Sequence, residues 1–159
     1  MGIATLLKRK VRKDMPINAK TPIYVEMTTN ISQEGQKDQI NLEAAGELYR
    51  KNDFIYVTFT ETLEDIGEVN TLLKVGDEQI TVIRKGAVSM RQPFFLGEVT
   101  SGSYETPFGK LATEANTDQV SIQWSDDGNK GDISFGYDLT LQGSAAGRYD
   151  VKISIEEET

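Results

Sequence analysis

Counting every second residue from Ile80 gives Ile80, Val82, Arg84, Gly86, Val88 and Met90, so a guanidinium falls in phase with a row of apolar side chains. Tyr104 and Tyr137 stand on apolar rows as well. An arginine and phenolic hydroxyls inside a protein suit an anion. The planar fork of arginine takes carboxylate or phosphate bidentately, and each hydroxyl adds a donor. An inward Arg84 without a partner would be costly. It therefore needs a ligand or an internal carboxylate, with Glu43, Glu61 and Glu105 the candidates. In a third reading Gly86 starts a turn or bulge, breaks the phase and leaves Arg84 on a rim. Arg91, in the opposite phase, reads as solvated. The segment PFFL, residues 93–96, opens with a proline that a central strand tolerates poorly. It reads as a loop, either packed or lying over a cavity mouth as a lid. The expected ligand-binding set is Arg84, Tyr104, Tyr137, Phe94 and Phe95.

Other chemistries are excluded or poorly supported. The chain has no cysteine and no histidine. That removes disulfides, thiolate nucleophiles, imidazole bases and Cys- or His-ligated zinc. DDGNKGD, residues 126–132, resembles a calcium loop only superficially: with Asp127 at its first position, Gly131 falls where a ligand belongs and Asp132 where glycine belongs. It reads as a hairpin turn. Gly109-Lys110-Leu111 lacks the serine or threonine and the upstream glycine of a phosphate loop. Asp126-Asp127 and Glu156 to Glu158 sit in turns or tails, without the opposed placement a glycosidase needs. The expectation is a protein that is not an enzyme and carries no metal or cofactor.

The elements that must position Arg84 follow from a period of two. Apolar rows run through Ile23 to Ile31, Ile40 to Leu48, Val69 to Val75, Ile133 to Leu141 and Tyr149 to Ile155, with FIYVTFTET between the second and third. Shorter rows are Gly102 to Thr106, Leu111 to Ala115 and Val120 to Trp124. Turn signals separate them: Glu34-Gly35, Asn52-Asp53, LEDIG, Gly76-Asp77, DDGNKGD and GSAAG. Tyr104-x-Thr106-Pro107-x-Gly109 reads as a corner, with proline presetting the turn and glycine free to adopt positive φ. Short links favour antiparallel neighbours, and one-sided alternation buries one face. The reading is all-β, an antiparallel up-and-down barrel of roughly 8–10 strands, with a two-sheet sandwich as the alternative.

At 159 residues the chain reads as one domain. Residues 1–14 form a basic extension in which Lys8, Arg9, Lys10, Arg12 and Lys13 face one acid, Asp14. Ile3, Leu6, Leu7 and Val11 fall near helical spacing, which suits at most a weak contact with an anionic surface. The extension reads as flexible, neither a secretory signal nor a myristoylation site. Residues 15–156 form the barrel and 157–159 an acidic tail. Since the whole chain carries -8, residues 15–159 carry -12, and such a body repels nucleic acid. No run of about 18 apolar residues is present, so no transmembrane segment is expected.

The segments IRKGAVSMRQ, SYETPFGKLATEA and DISFGYDLTL resemble the YwiB-like family of bacterial proteins. The likeness spans about residues 20 to 156, with Arg84-x-Gly86 and Tyr104-x-Thr106-Pro107-x-Gly109 its most specific features. It implies a calycin-like (lipocalin-like) β-barrel in a cytoplasmic protein and carries no established activity. Lipocalins proper have Gly-x-Trp near their first strand; here Trp124 is late and lacks that motif, so their ligands do not carry over. The functional expectation is a non-catalytic barrel holding a small amphipathic or anionic ligand. The alternative is a filled barrel that contacts a macromolecular partner through its acidic surface or basic extension.

Overall fold

The computed structural model describes residues 19–158, and the readings of residues 1–14 lie outside them. Ten strands follow one another: β1 (Thr21–Gln33), β2 (Gln36–Lys51), β3 (Phe54–Leu63), β4 (Gly67–Val75), β5 (Gln79–Gly86), β6 (Ser89–Phe95), β7 (Val99–Thr106), β8 (Gly109–Trp124), β9 (Lys130–Leu141) and β10 (Ser144–Glu157). Each pairs antiparallel with its chain neighbours, and β1 pairs with β10 to close the barrel. This is the expected up-and-down barrel. Two-residue turns do much of the linking: Glu34-Gly35 and Gln142-Gly143 both have positive φ at each residue, the conformation that matches the twist of a hairpin.

Alternation decides what faces inward. Ile23, Val25, Ile55, Val57, Leu73, Val75, Ile80, Ile133, Phe135, Ile153 and Ile155 are buried in one continuous core. The core is densest toward the end where β1 begins and β10 finishes. At the opposite end, the mouth, the inward residues Met27, Leu42, Met90, Leu111, Leu139 and Tyr149 are only half-buried. The turns 34–35, 64–66, 87–88, 107–108 and 142–143 ring that mouth.

Several local expectations need correction. Leu111 to Ala115 and Val120 to Trp124 belong to one strand, β8; a bulge at Thr117/Gln119 adds a residue and moves the inward phase from odd to even numbers. The loop read from GSAAG is only the turn Gln142-Gly143, since β10 starts at Ser144 with its own shift at Ala145/Gly147. β10 also continues through Glu157, read as the first residue of the tail. PFFL is not a loop: Pro93, Phe94 and Phe95 lie in β6. Pro93 is tolerated because the β6–β7 ladder runs only from Ser89↔Glu105 to Arg91↔Ser103 and needs no donor at position 93.

Below Arg91 a side chain replaces the missing ladder. Gln92 is 1 % exposed; its Nε2 donates to Pro93 O at 3.0 Å and Thr100 O at 3.2 Å, and its Oε1 accepts from Thr113 Oγ1. Thr100 Oγ1 donates to Pro93 O at 2.5 Å. Gly102 leaves the room: a Cβ there would sit 2.3 Å from Gln92 Oε1 and 2.5 Å from Arg91 O. One amide thus stitches β6, β7 and β8 where backbone pairing lapses.

Candidate functional site

Arg84 keeps its inward phase because β5 runs straight through it. Gly86, with φ of 131°, ends the strand two residues later, after the phase has done its work. Register places Arg84 beside Thr71 of β4 and Met90 of β6, with Tyr104 of β7 beyond Met90. Of the candidate carboxylates, Glu61 is the partner. It continues the inward row of Ile55, Val57 and Phe59, and its Oε2 lies 3.4 Å from Arg84 Nε. The Glu61 side chain is 7 % exposed, and Thr71 Oγ1 donates to the same oxygen at 2.5 Å. The pair is an ion contact without hydrogen-bond geometry at Nε. Arg84 Nη1 meets only the soft Met90 Sδ, at 4.0 Å. Among the described residues the guanidinium ends therefore find no oxygen acceptor.

Three tyrosines share this space. Tyr137, 8 % exposed, stacks on Tyr149 with ring centroids 5.3 Å apart. Burial raises the Tyr137 pKa well above the ordinary phenolic value; the Tyr149 phenol adds to the rise and the Arg84 charge opposes it. Tyr149 is raised too, by burial and then by Tyr104. These mutual influences place Arg84, Tyr104, Tyr137 and Tyr149 within electrostatic reach of one another. None of the three hydroxyls is hydrogen-bonded to another described residue. Of the hydroxyls here, that of Thr117, opposite Tyr137 on β8, is the one fully buried without a partner.

Arg84, Tyr104 and Tyr137 thus lie near one another on the inner side of the wall. Phe94 and Phe95 are not both there. Neighbours on a strand point to opposite faces. Phe94 turns inward, fully buried, and packs 4.4 Å from the Tyr137 ring and 4.8 Å from Phe135. It is core beneath the chamber, and Phe95 faces out of the barrel. One residue of the site, Tyr149, is missed by the sequence reading, and another, Glu61, is not singled out by it. Tyr149 was placed on its row but given no role, and Glu61 was one of three equal candidates. Its in-phase position after Phe59 is the signal that singles it out.

Two hollows stand out, and neither is the chamber. One of about 150 Å³ lies on the outer wall between Tyr24 and Lys130; one of about 40 Å³ lies beside Ile23 and Leu48 at the far end. Both fall short of the roughly 300 Å³ of a ready-made ligand pocket. The DDGNKGD segment is a hairpin turn in which Asp127 accepts from Asn129 N at 2.9 Å and Ser125 Oγ at 2.7 Å. At the Tyr104 to Gly109 corner, Thr106 Oγ1 accepts from Phe108 N at 3.0 Å, leaving Phe108 90 % exposed at the mouth rim.

The outer wall holds a second cluster, unforeseen in the sequence. Arg148 donates bidentately to Asp118 at 2.7 and 2.8 Å and to Asp150 at 3.1 Å, with Asp138 at 3.7 Å. Asp118 is the extra residue of the β8 bulge, which turns it toward Arg148. The arginine holds the Asp118 carboxyl below its ordinary pKa. With its donors matched by three carboxylates, this cluster is a strap across β8, β9 and β10 with no free donor for an anion.

A closed ten-stranded antiparallel barrel with polar groups gathered at one end defines the class. Residues 25–153 match the family described as "Domain of unknown function (DUF1934)", and the chain belongs to that family, the YwiB-like barrels. It is 33 % identical over 137 residues to "Uncharacterized beta-barrel protein YwiB" of Bacillus subtilis strain 168, covering 86 % of this chain and 94 % of that protein. The crystal structure of the ywiB protein from Bacillus subtilis superposes with a TM-score of 0.79 at 30 % identity, covering 88 % of this chain and 94 % of the other. No helix among the described residues is long and apolar enough to cross a membrane.

Proposed function

We propose that this is a non-catalytic, calycin-like binding barrel whose mouth chamber takes the head of a small amphipathic anion. The observation that carries the reading is the set of unused donors: the guanidinium ends of Arg84 and the hydroxyls of Tyr104, Tyr137 and Tyr149. Of the chamber's donors only Arg84 Nε is fully buried without a hydrogen-bond partner; the others have no oxygen acceptor among the described residues and stay within reach of water at the mouth, which an anion can displace. Half-buried Met90, Leu111 and Leu139 would line the apolar part of the ligand, which must point out of the mouth because the lumen beneath is packed. A bacterial, cytoplasmic setting agrees with the absence of cysteine and with the Bacillus subtilis relative.

A second reading has its own observation. The lumen is filled by the core, and neither hollow reaches pocket size. On that reading Arg84–Glu61 is a structural pair, and the acidic wall or the basic residues 8–13 meet a macromolecular partner. Gentle native mass spectrometry of freshly purified protein separates the two. Binding predicts a small adduct that is lost in Arg84→Ala while circular dichroism stays unchanged. An adduct-free wild type, or an adduct indifferent to the substitution, overturns the chamber as the site.

A further inference from the structure

We infer that Glu61 is a charge filter that admits monoanions to the mouth chamber, carboxylates with an apolar body foremost, and rejects dianions such as phosphate monoesters. The inference rests on the chamber being a binding site and adds which charge it takes. Arginine offers two edges, one through Nε and one through its two terminal nitrogens. Glu61 occupies only the Nε edge, at 3.4 Å, and the Thr71 hydroxyl holds that carboxylate in place. The terminal edge remains for a bidentate carboxylate, with Met90 Sδ its one hydrogen-bond contact among the described residues. Any anion seated there shares the guanidinium with a fixed, buried negative charge.

A monoanion meets that charge once and regains two charge-assisted hydrogen bonds and a phenol donor. A dianion meets it twice as strongly in the same partly desolvated space; its attraction to Arg84 doubles as well, but the cost of shedding its hydration grows with the square of its charge, and no second cation offsets that cost. Arg84 is the only cation among the residues placed in the chamber, and the nearby cations of β5 and β6, Lys85 and Arg91, are exposed. At separations of several ångströms and the effective dielectric of such sites, one extra charge weakens binding by roughly tenfold or more.

The test compares three probes of one size on the full chain at pH 8: 3-phenylpropionate, benzenesulfonate and phenyl phosphate. The sulfonate shares the tetrahedral shape of the phosphate and carries a single charge; the phosphate, whose second ionisation lies near pH 6, carries two. Chemical-shift titration followed at Tyr137 and Tyr149 should give similar affinities for the carboxylate and the sulfonate, with phenyl phosphate at least about tenfold weaker. In Glu61→Gln the gap should close to under threefold, mainly through tighter phosphate binding. Phenyl phosphate equal to the sulfonate in the wild type overturns the filter and leaves the chamber standing. A gap that persists in a folded Glu61→Gln variant also overturns it. If no probe moves either tyrosine, the chamber reading and the filter fall together. The wild-type comparison decides the matter even if Glu61→Gln does not fold.

Discussion

Replacing Gln92 with leucine tests how this barrel closes its weakest seam. Leucine keeps the buried volume near that of glutamine and removes the amide. Thr100 O and the Thr113 hydroxyl then lose their partner, while Pro93 O keeps the Thr100 hydroxyl. Each orphaned buried group costs about 1–3 kcal/mol, so the substitution should cost about 2–5 kcal/mol, a sizeable share of the roughly 5–15 kcal/mol that holds a domain together. Urea unfolding reads the loss, and hydrogen exchange should report faster opening at Thr100 to Ser103 than elsewhere. A double-mutant cycle with Thr113→Val sharpens the test. Alone, Thr113→Val should cost about 1–2 kcal/mol because it strands Gln92 Oε1; in the Gln92→Leu background it should cost close to nothing, because both partners are then gone. Additivity within about 0.5 kcal/mol, or a Gln92→Leu cost below about 1 kcal/mol, would show that the amide is not what holds β6 to β7 and β8.

Alkaline pH should weaken the fold through Tyr137. Its proton is held more tightly in the folded state than at the ordinary value of 10.0, so this stabilisation is complete below that pH and is lost as pH rises above it. Thermal melts should fall steeply above pH 10 in the wild type and less so in Tyr137→Phe; parallel curves would refute the assignment. Asp118 works in the opposite direction. Its depressed pKa contributes stability above about 3.8 that disappears as pH falls through the folded value, so Asp118→Asn should cost under about 1 kcal/mol at pH 7 and nothing measurable near pH 2 by chemical denaturation. Gly46→Ala would set a Cβ 2.2 Å from Thr58 O, forcing β2 away from β3; a cost of about 1–3 kcal/mol or more in urea unfolding is expected, and a neutral result would mean the strands separate freely.

The fold was legible because alternation is a property of single strands and turns announce themselves. Ile23 to Ile31 and Val69 to Val75 show both faces plainly, and Glu34-Gly35 can hardly be anything but a turn. What misled were places where two strands share one feature. The bulge at Asp118 shifts phase without a break, so β8 looks like two pieces. Pro93 looks like a stop signal because its tolerance depends on how far β7 pairs, which β6 does not encode. Arg84 was read correctly as a question of phase and partner. The phase is local and can be counted, and counting it for the acids favours Glu61, because Glu43 and Glu105 fall out of phase with their rows; that Glu61 reaches Arg84 depends on which rows meet across β3, β4 and β5. The Arg148 strap draws on three strands and a bulge, and no spacing along the chain announces it.

Because β1 lies against β10 over Ile23↔Glu157 to Ser32↔Arg148, the two ends of the described chain are neighbours in space. Order along the sequence and order around the wall are therefore the same cyclic list, and the place where the chain is cut is nearly arbitrary. A short linker from Glu158 back to Thr21 would make a continuous loop of ten strands, which new termini at the exposed turn Gly128-Asn129 or Asp65-Ile66 would open again. Nine of the wall's seams join consecutive strands, and only the β1–β10 seam must be found across the whole length of the barrel. In such a permuted chain that long search becomes a local hairpin, and the seam that replaces it as the last to close can be chosen at will.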